Sequence, residues 1–271
     1  MLPALLTFAA FGILTGLTTV LFGFGGGFVI VPVVYAVAVA SGIGGEAMLV
    51  AVATSTAVMI VNSLSATLAH WRSGRLRTDL LFPLAGYIGV GALVGALVAT
   101  RVPDGVLHVL FIAYLAITIV DSLLRRGFIS RSAGAPERRL GPVTTSAGGL
   151  GIGAVASFLG VGGSIMTVPL LRRLGLPMAT SAAMANPLSV PVSVVGAAVY
   201  AFSLPATTGA LAAGRLGYID LLAMAGLLAG SLPTIAVAKR LVGKMPDRIH
   251  ATAFIALLVV VLVSMLLIRP A

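Results

Sequence analysis

Twice along this chain a long apolar run is interrupted by a knot of glycines, and each knot is followed by a proline. The first interruption reads Gly23-Phe-Gly-Gly-Gly-Phe-Val-Ile-Val-Pro32, the second Gly160-Val-Gly-Gly-Ser-Ile-Met-Thr-Val-Pro169. Glycine inside a helix costs roughly 1 kcal/mol relative to alanine, so a paired cluster in an apolar setting marks a break in a helix. The apolar runs that follow, 28–40 and 165–174, are shorter than the segment of about 20 residues that crosses a bilayer. Discontinuous helices at matching positions of two halves point to the substrate site of a membrane transporter.

Composition places the breaks in a membrane. The chain is 59% apolar and 9% charged, with a mean hydropathy of +1.14, and a water-soluble fold could not cover that much apolar surface. The absence of cysteine excludes disulfides, thiolate metal sites and cysteine nucleophiles. The net charge of +10 does not imply nucleic acid, because the basic residues lie between apolar stretches, where they set topology. The first run, Leu2 to Phe22, lacks a basic start and is too long for a signal-peptide core, so it reads as a retained span.

Apolar stretches fall at 2–22, 28–40, 46–69, 79–100, 104–124, 142–159, 165–174, 178–204, 216–238 and 247–268, with a polar stretch from Arg125 to Arg139 between two sets of five. Further matched blocks support a duplication: Gly74-Arg-Leu before Asp79 with Gly214-Arg-Leu before Asp220, and Arg101-Val-Pro-Asp104 with Lys244-Met-Pro-Asp247. If the short segments cross the membrane, the second half is inverted, and 14 of the 17 basic residues fall on one side, leaving Arg101, Arg215 and Arg269. If they turn back, the division is 10 to 7, so the positive-inside rule selects five crossings per half. The expected fold is an all-α polytopic membrane protein of two inverted five-segment repeats, about ten segments in all, two of them short and discontinuous. The repeats are 1–124 and 142–271, joined by a cytoplasmic linker at 125–141, with both termini outside.

The breaks suggest the chemistry. The residues up to Val31 are expected to be non-helical, with a half-helix starting near Pro32, and the second copy repeats this with a hydroxyl added at Ser164. Free N–H groups and the positive dipole end of such a half-helix suit an anion. Gly23, Gly25, Gly26, Gly27, Gly160, Gly162, Gly163 and Ser164 are the first candidates; close packing through small residues is the competing reading. One segment after each break lie Thr54 and Ser55, or Thr180 and Ser181, in spans that also carry Asn62 and Asn186. Singly, such groups serve interhelical hydrogen bonds; as a set they complete a neutral polar cavity, and an amide needs several partners. With no Lys or Arg deep in a span, neutral donors would favour a singly charged oxyanion. Arg172 and Arg173 serve as topology anchors, with attraction of anions to the mouth as an alternative role. Valine in place of Gly26 or Gly163 is expected to abolish transport in a protein that still folds. The acids and His70, His108 and His250 lie near segment ends, and no metal, cofactor, nucleophile or P-loop motif occurs.

The duplicated glycine element with its trailing proline, the Ala-Thr-Ser motif at 53–55 and 179–181, and the apolar layout resemble the sulfite exporter TauE/SafE family over roughly residues 10–268. The resemblance implies a bacterial plasma-membrane carrier, usually an exporter, of sulfite, organosulfonates or thiosulfate. It places the site on the glycines and the Thr-Ser pairs, with Ser164 departing from the triple glycine. Partners are then the small anion, a proton or sodium ion as coupling candidate, and lipid, but no nucleic acid; pairing of two copies, frequent among transporters, stays open. A passive anion channel and an intramembrane enzyme are the alternatives, the latter lacking a convergent set of acids, histidines or metal ligands.

Overall fold

In hydrocarbon every backbone N–H and C=O must pair within its own segment, so each apolar stretch closes its hydrogen bonds as a helix. The computed structural model describes residues 2–72, 76, 78–124, 140–203, 214–238 and 246–268. In order they form α1 Leu2–Phe22, α2 Gly27–Ala40, α3 Ala47–Arg72, α4 Thr78–Ala99, α5 Asp104–Leu124, α6 Gly149–Leu159, α7 Ser164–Arg173, α8 Met178–Phe202, α9 Leu221–Ala238 and α10 Asp247–Leu267. A π-helical turn, Thr144–Gly148, leads into α6, and a small hairpin of β1 Arg215–Leu216 and β2 Ile219–Asp220 precedes α9. Among the described residues, seven helices (α1, α3, α4, α5, α8, α9 and α10) are long and apolar enough to cross a membrane. Helices α2 and α7 have 14 and 10 residues, as their short apolar runs predict. Residues 125–139 of the expected linker, Gly74 and Arg75 of one matched block, and Lys244 and Met245 of the other lie outside the described residues.

The sequence reading needs one correction. Helix α2 starts at Gly27 and α7 at Ser164, so Pro32 and Pro169 lie inside helices and the unwound stretches are only 23–26 and 160–163. Each proline forfeits one bond, to the carbonyl of Phe28 or Ile165, and the helix tolerates it near its start while neighbours hold it in place.

Glycine seams set the packing. Gly12 and Gly16 of α1 lie against Leu227 and Ser231 of α9, and Gly91 and Gly95 of α4 against Leu150 and Ala154 of α6. A Cβ at any of the four would collide with a facing carbonyl, so these Gly-x-x-x-Gly pairs bring parallel helices into backbone contact. Several further interfaces come in matched sets when the first five helices are exchanged with the last five: α2 on α3 and α7 on α8, α3 on α9 and α8 on α4, with α3 against α8 and α5 against α10 at the centre.

Carboxylates fix the ends of the two central helices. The Asp104 carboxylate at the start of α5 accepts from the N–H groups of Met48 (2.8 Å) and Leu49 (3.0 Å), in the first turn of α3. Asp247, at the start of α10, accepts from the Met178 N–H that begins α8 (2.6 Å) and from the Arg172 guanidinium of α7 (2.7 Å). A carboxylate on unpaired first-turn amides satisfies donors and opposes the helix dipole. The Asp104 and Asp247 blocks, matched in sequence, thus do the same work. Because His108 near the start of α5 bonds the Met265 carbonyl near the end of α10 (3.1 Å), these two helices are antiparallel, and α3 and α8 start at opposite ends of the bundle.

Candidate functional site

The first break opens where α1 ends. The Gly23 N–H still bonds the Thr19 carbonyl (3.0 Å), but Gly23, Gly25 and Gly26 all have positive φ, at 75°, 61° and 92°. That left-handed backbone suits glycine and turns the chain sharply. The second break begins at Gly160 (φ 67°), where the Val161 N–H reaches back to the Ala156 carbonyl (3.1 Å), a helix ending of Schellman type. Gly162 is left-handed too (φ 70°), whereas Gly163 has ordinary helical backbone at φ −69°. Ser164 replaces the third glycine without penalty because position 164 already belongs to α7.

The two breaks meet. A Cβ on Gly27 would stand 2.8 Å from the Gly160 carbonyl oxygen and 2.9 Å from the Val161 Cα. Ser55 of α3 donates to the same Gly160 oxygen at 2.6 Å, tying the halves together through a residue of the Ala-Thr-Ser motif. Asn62 uses both ends of its amide: Nδ2 donates to the Gly25 carbonyl (3.4 Å) and Oδ1 accepts from Ser231 of α9 (2.7 Å). Asn186 of α8 donates to the Thr19 carbonyl (3.2 Å), while its Oδ1 is buried without a hydrogen-bond partner among the described residues. Met59 of α3 reaches both breaks, lying against Gly25, Gly27 and Gly162, and Ser63 and Ser189 stand in matching places beside Gly25 and Gly162.

Not every expected residue presents itself to a ligand. Thr54 is buried and accepts the Asp220 N–H (3.0 Å), so with Ser55 and Asn62 it builds the scaffold around the breaks. Ser181 is buried with an unpartnered hydroxyl among the described residues, and Thr180 is half-buried and joins none of these contacts. Arg172 is buried and paired with Asp247, while Arg173 is exposed and stands 3.8 Å from Asp121. Thr167 escaped the sequence reading although it lies within the duplicated element: it follows Ser164 by three residues, so on a helix the two share a face. Both are buried, and neither hydroxyl has a partner among the described residues.

The start of each short helix also leaves backbone donors open. No described residue accepts from the N–H groups of Gly25 and Gly26, or from those of Gly162, Gly163 and Ser164, and neither helix has a side-chain cap. Unpaired amides at a buried helix start attract negative charge. A separate groove of about 440 Å³ between α5, α6 and α7 reaches Ile165, Met166 and Pro169. These residues lie on the face of α7 away from Ser164 and Thr167, so the groove is mainly apolar and does not share their donors.

Seven membrane-length helices around two interrupted ones define a multi-pass helical membrane protein, and paired interruptions of this kind are a transporter design. The chain belongs to the family described as Sulfite exporter TauE/SafE, whose model matches residues 8–265. It is 26% identical over 261 residues to a probable membrane transporter protein of Haemophilus influenzae, covering 94% of this chain and 96% of that one. It is 23% identical over 205 residues to the probable membrane transporter protein YdhB of Bacillus subtilis, covering 75% and 78%. No solved structure matches it.

Proposed function

We propose that the protein is a secondary transporter, working as an exporter, of small sulfur-containing anions such as sulfite, organosulfonates or thiosulfate. The observation that carries this reading is the meeting of the two breaks, where Ser55 of one half bonds the Gly160 carbonyl of the other and unpaired amides lie on both sides of the contact. A helix start in a low-dielectric interior favours an anion, and each charge-assisted hydrogen bond contributes roughly 1.5–3 kcal/mol. Neutral donors without a buried free cation among the described residues suit one negative charge better than two, which ranks hydrogensulfite and organosulfonates above the thiosulfate dianion. Membership of the sulfite exporter family supports the sulfur oxyanion class.

The halves 1–124 and 142–271 act as inverted repeats that rock against each other to give alternating access. Four contacts support the inversion. Helices α5 and α10 run antiparallel, α3 runs parallel to α9 through Thr54 with Asp220 and Asn62 with Ser231, and α2 leads from the centre toward the first turn of α5, where Tyr35 stacks on His108. In a protein whose halves had the same orientation, α3 and α9 would be opposed. The division of basic residues then sets 125–141 in the cytoplasm and both termini outside, in a bacterial plasma membrane.

The direct test is flux in proteoliposomes across sulfite, thiosulfate, sulfate, sulfoacetate and taurine. Saturable, counterflow-competent movement of a sulfur anion is expected. A current that never saturates would identify a channel, and absence of any anion flux across the panel would remove the proposal.

A further inference from the structure

The duplicated sequence suggests two equivalent anion seats, yet the two helix starts differ in what surrounds them. We propose that the anion is seated at the start of α7 alone, held by the hydroxyls of Ser164 and Thr167 and the N–H groups of Gly162, Gly163 and Ser164, and that the first break is its closed counterpart. This rests on the transporter reading above and assigns its ligand to one half.

Room is the first argument. A Cβ added to Gly163 would find nothing nearer than Ile152 at 3.3 Å, Thr167 at 3.7 Å and the Leu188 carbonyl at 3.8 Å. Its counterpart Gly26 is overrun by the Thr15 methyl, with the Asn62 amide and Ile30 both at 3.2 Å, and Gly27 is pressed onto Gly160. The start of α2 is therefore blocked outright, whereas at Gly163 the nearest groups are side-chain methyls and one carbonyl at contact distance, which a small shift of Ile152 would relieve.

Donors are the second. The first turn of α2 offers Phe28, Val29 and Ile30, none of which can donate from its side chain, and the Asn62 amide beside it is bonded at both ends. The one unpartnered hydroxyl at that break among the described residues, Ser63, belongs to α3 and is pressed against Gly25 rather than the helix start. The first turn of α7 carries two hydroxyls on one face, fully buried and unpartnered among the described residues. The Thr167 methyl lies within contact distance of a Cβ on Gly163, which brings that side chain back over the helix start where the open amides are. A buried hydroxyl without a partner is costly unless something accepts from it. Two hydroxyls and up to three amides converging on one place form a seat for an oxyanion. The ligand class is a small, singly charged, tetrahedral or pyramidal oxyanion whose oxygens accept several hydrogen bonds at once.

The experiment is initial-rate transport of radiolabelled sulfite in proteoliposomes containing wild type, Ser164→Ala, Thr167→Val, Gly163→Ala, Ser63→Ala or Ser122→Ala. Ser122 is a buried hydroxyl of α5 without a partner among the described residues, and it controls for loss of a hydroxyl as such. Each of the first three substitutions is expected to raise KM roughly tenfold or more, the loss of one charge-assisted bond or of the space it needs, with a smaller effect on maximal rate. Gly163→Ala is informative even if a hydroxyl variant is unstable, because its helical φ suits alanine and the one tight neighbour is the Ile152 methyl at 3.3 Å, which needs to move by only a few tenths of an ångström. Ser63→Ala should shift KM no more than Ser122→Ala does. If Ser63→Ala weakens sulfite as much as Ser164→Ala, or if the three α7 variants keep the wild-type KM, the single-seat assignment is overturned while the transporter reading stands. Wild-type protein that moves no sulfite at all removes both.

Discussion

Gly26 and Gly163 occupy the same place in a repeated sequence, one residue before a short helix, and their surroundings are opposite. Gly26 sits at φ 92° under the Thr15 methyl and the Asn62 amide; Gly163 sits at φ −69°, where an added Cβ meets nothing nearer than Ile152 at 3.3 Å. The carboxylates at the ends of the bundle show a related inequality. Asp104 spends itself on two backbone amides, whereas Asp247 serves one amide and also neutralises the buried Arg172. The two matched sequences thus give similar frames with different side chains around them, and in the single-seat proposal that difference separates their roles: both breaks leave amides unpaired, but α7 alone adds two unpartnered hydroxyls of its own first turn.

The largest effect that sharpens this comparison belongs to Gly26→Val. A β-branched residue in a left-handed conformation is strained by about 1–3 kcal/mol, and overpacking against Thr15 adds a similar amount. Unfolding in detergent should therefore come much earlier than in wild type, and a wild-type melting temperature would show that the first break is not crowded. Gly163→Val is expected to fold far better than Gly26→Val and to lose transport through occupation of the space. Next comes Asp247→Asn, which leaves the Arg172 guanidinium buried without its anion. The cost is roughly 2–3 kcal/mol, reduced from that of a fully buried pair because the Asp247 side chain is 39% exposed. Ser55→Ala deprives the buried Gly160 carbonyl of its 2.6 Å partner and should cost about 1–2 kcal/mol, read by the same melt. Asp104→Asn comes last, at about 1 kcal/mol, since the amide oxygen still accepts from the start of α3. Equal losses in the two aspartate variants would mean that the Arg172 pairing contributes nothing.

Much of the architecture was legible because the membrane imposes it. Segment lengths, the two short helices and the position of both breaks follow from apolar runs and glycine clusters alone; the matched Asp104 and Asp247 blocks pointed to a duplication but not to the helix starts that their carboxylates hold. The start of α2 was read five residues late because proline was given the local rule for an isolated helix, whereas packing on α3 holds the turn before it. Close packing through Gly-x-x-x-Gly was weighed for the break glycines. It operates there, where a Cβ on Gly23, Gly27 or Gly160 would collide with facing backbone, and also between α1 and α9 and between α4 and α6, where a single sequence gives no register for helices so far apart. Thr54, Ser55 and Asn62 were placed in the right region but are bonded to the protein, and that could not be known before Asp220, Gly160 and Ser231 were brought beside them. The same reason turns the expectation for valine at Gly26 from a folded protein to an unstable one, since Thr15 arrives from another helix. Thr167 was visible in the motif itself, three residues after Ser164, and only the start of α7 at position 164 gives that spacing its meaning.

Amide hydrogen exchange read by mass spectrometry, with and without saturating sulfite, bears most directly on the unequal pair. Seating an oxyanion at the start of α7 should slow exchange across 162–167 and leave 23–28 unchanged. Equal slowing at both breaks, or slowing at 23–28 alone, would contradict a seat built on the second half.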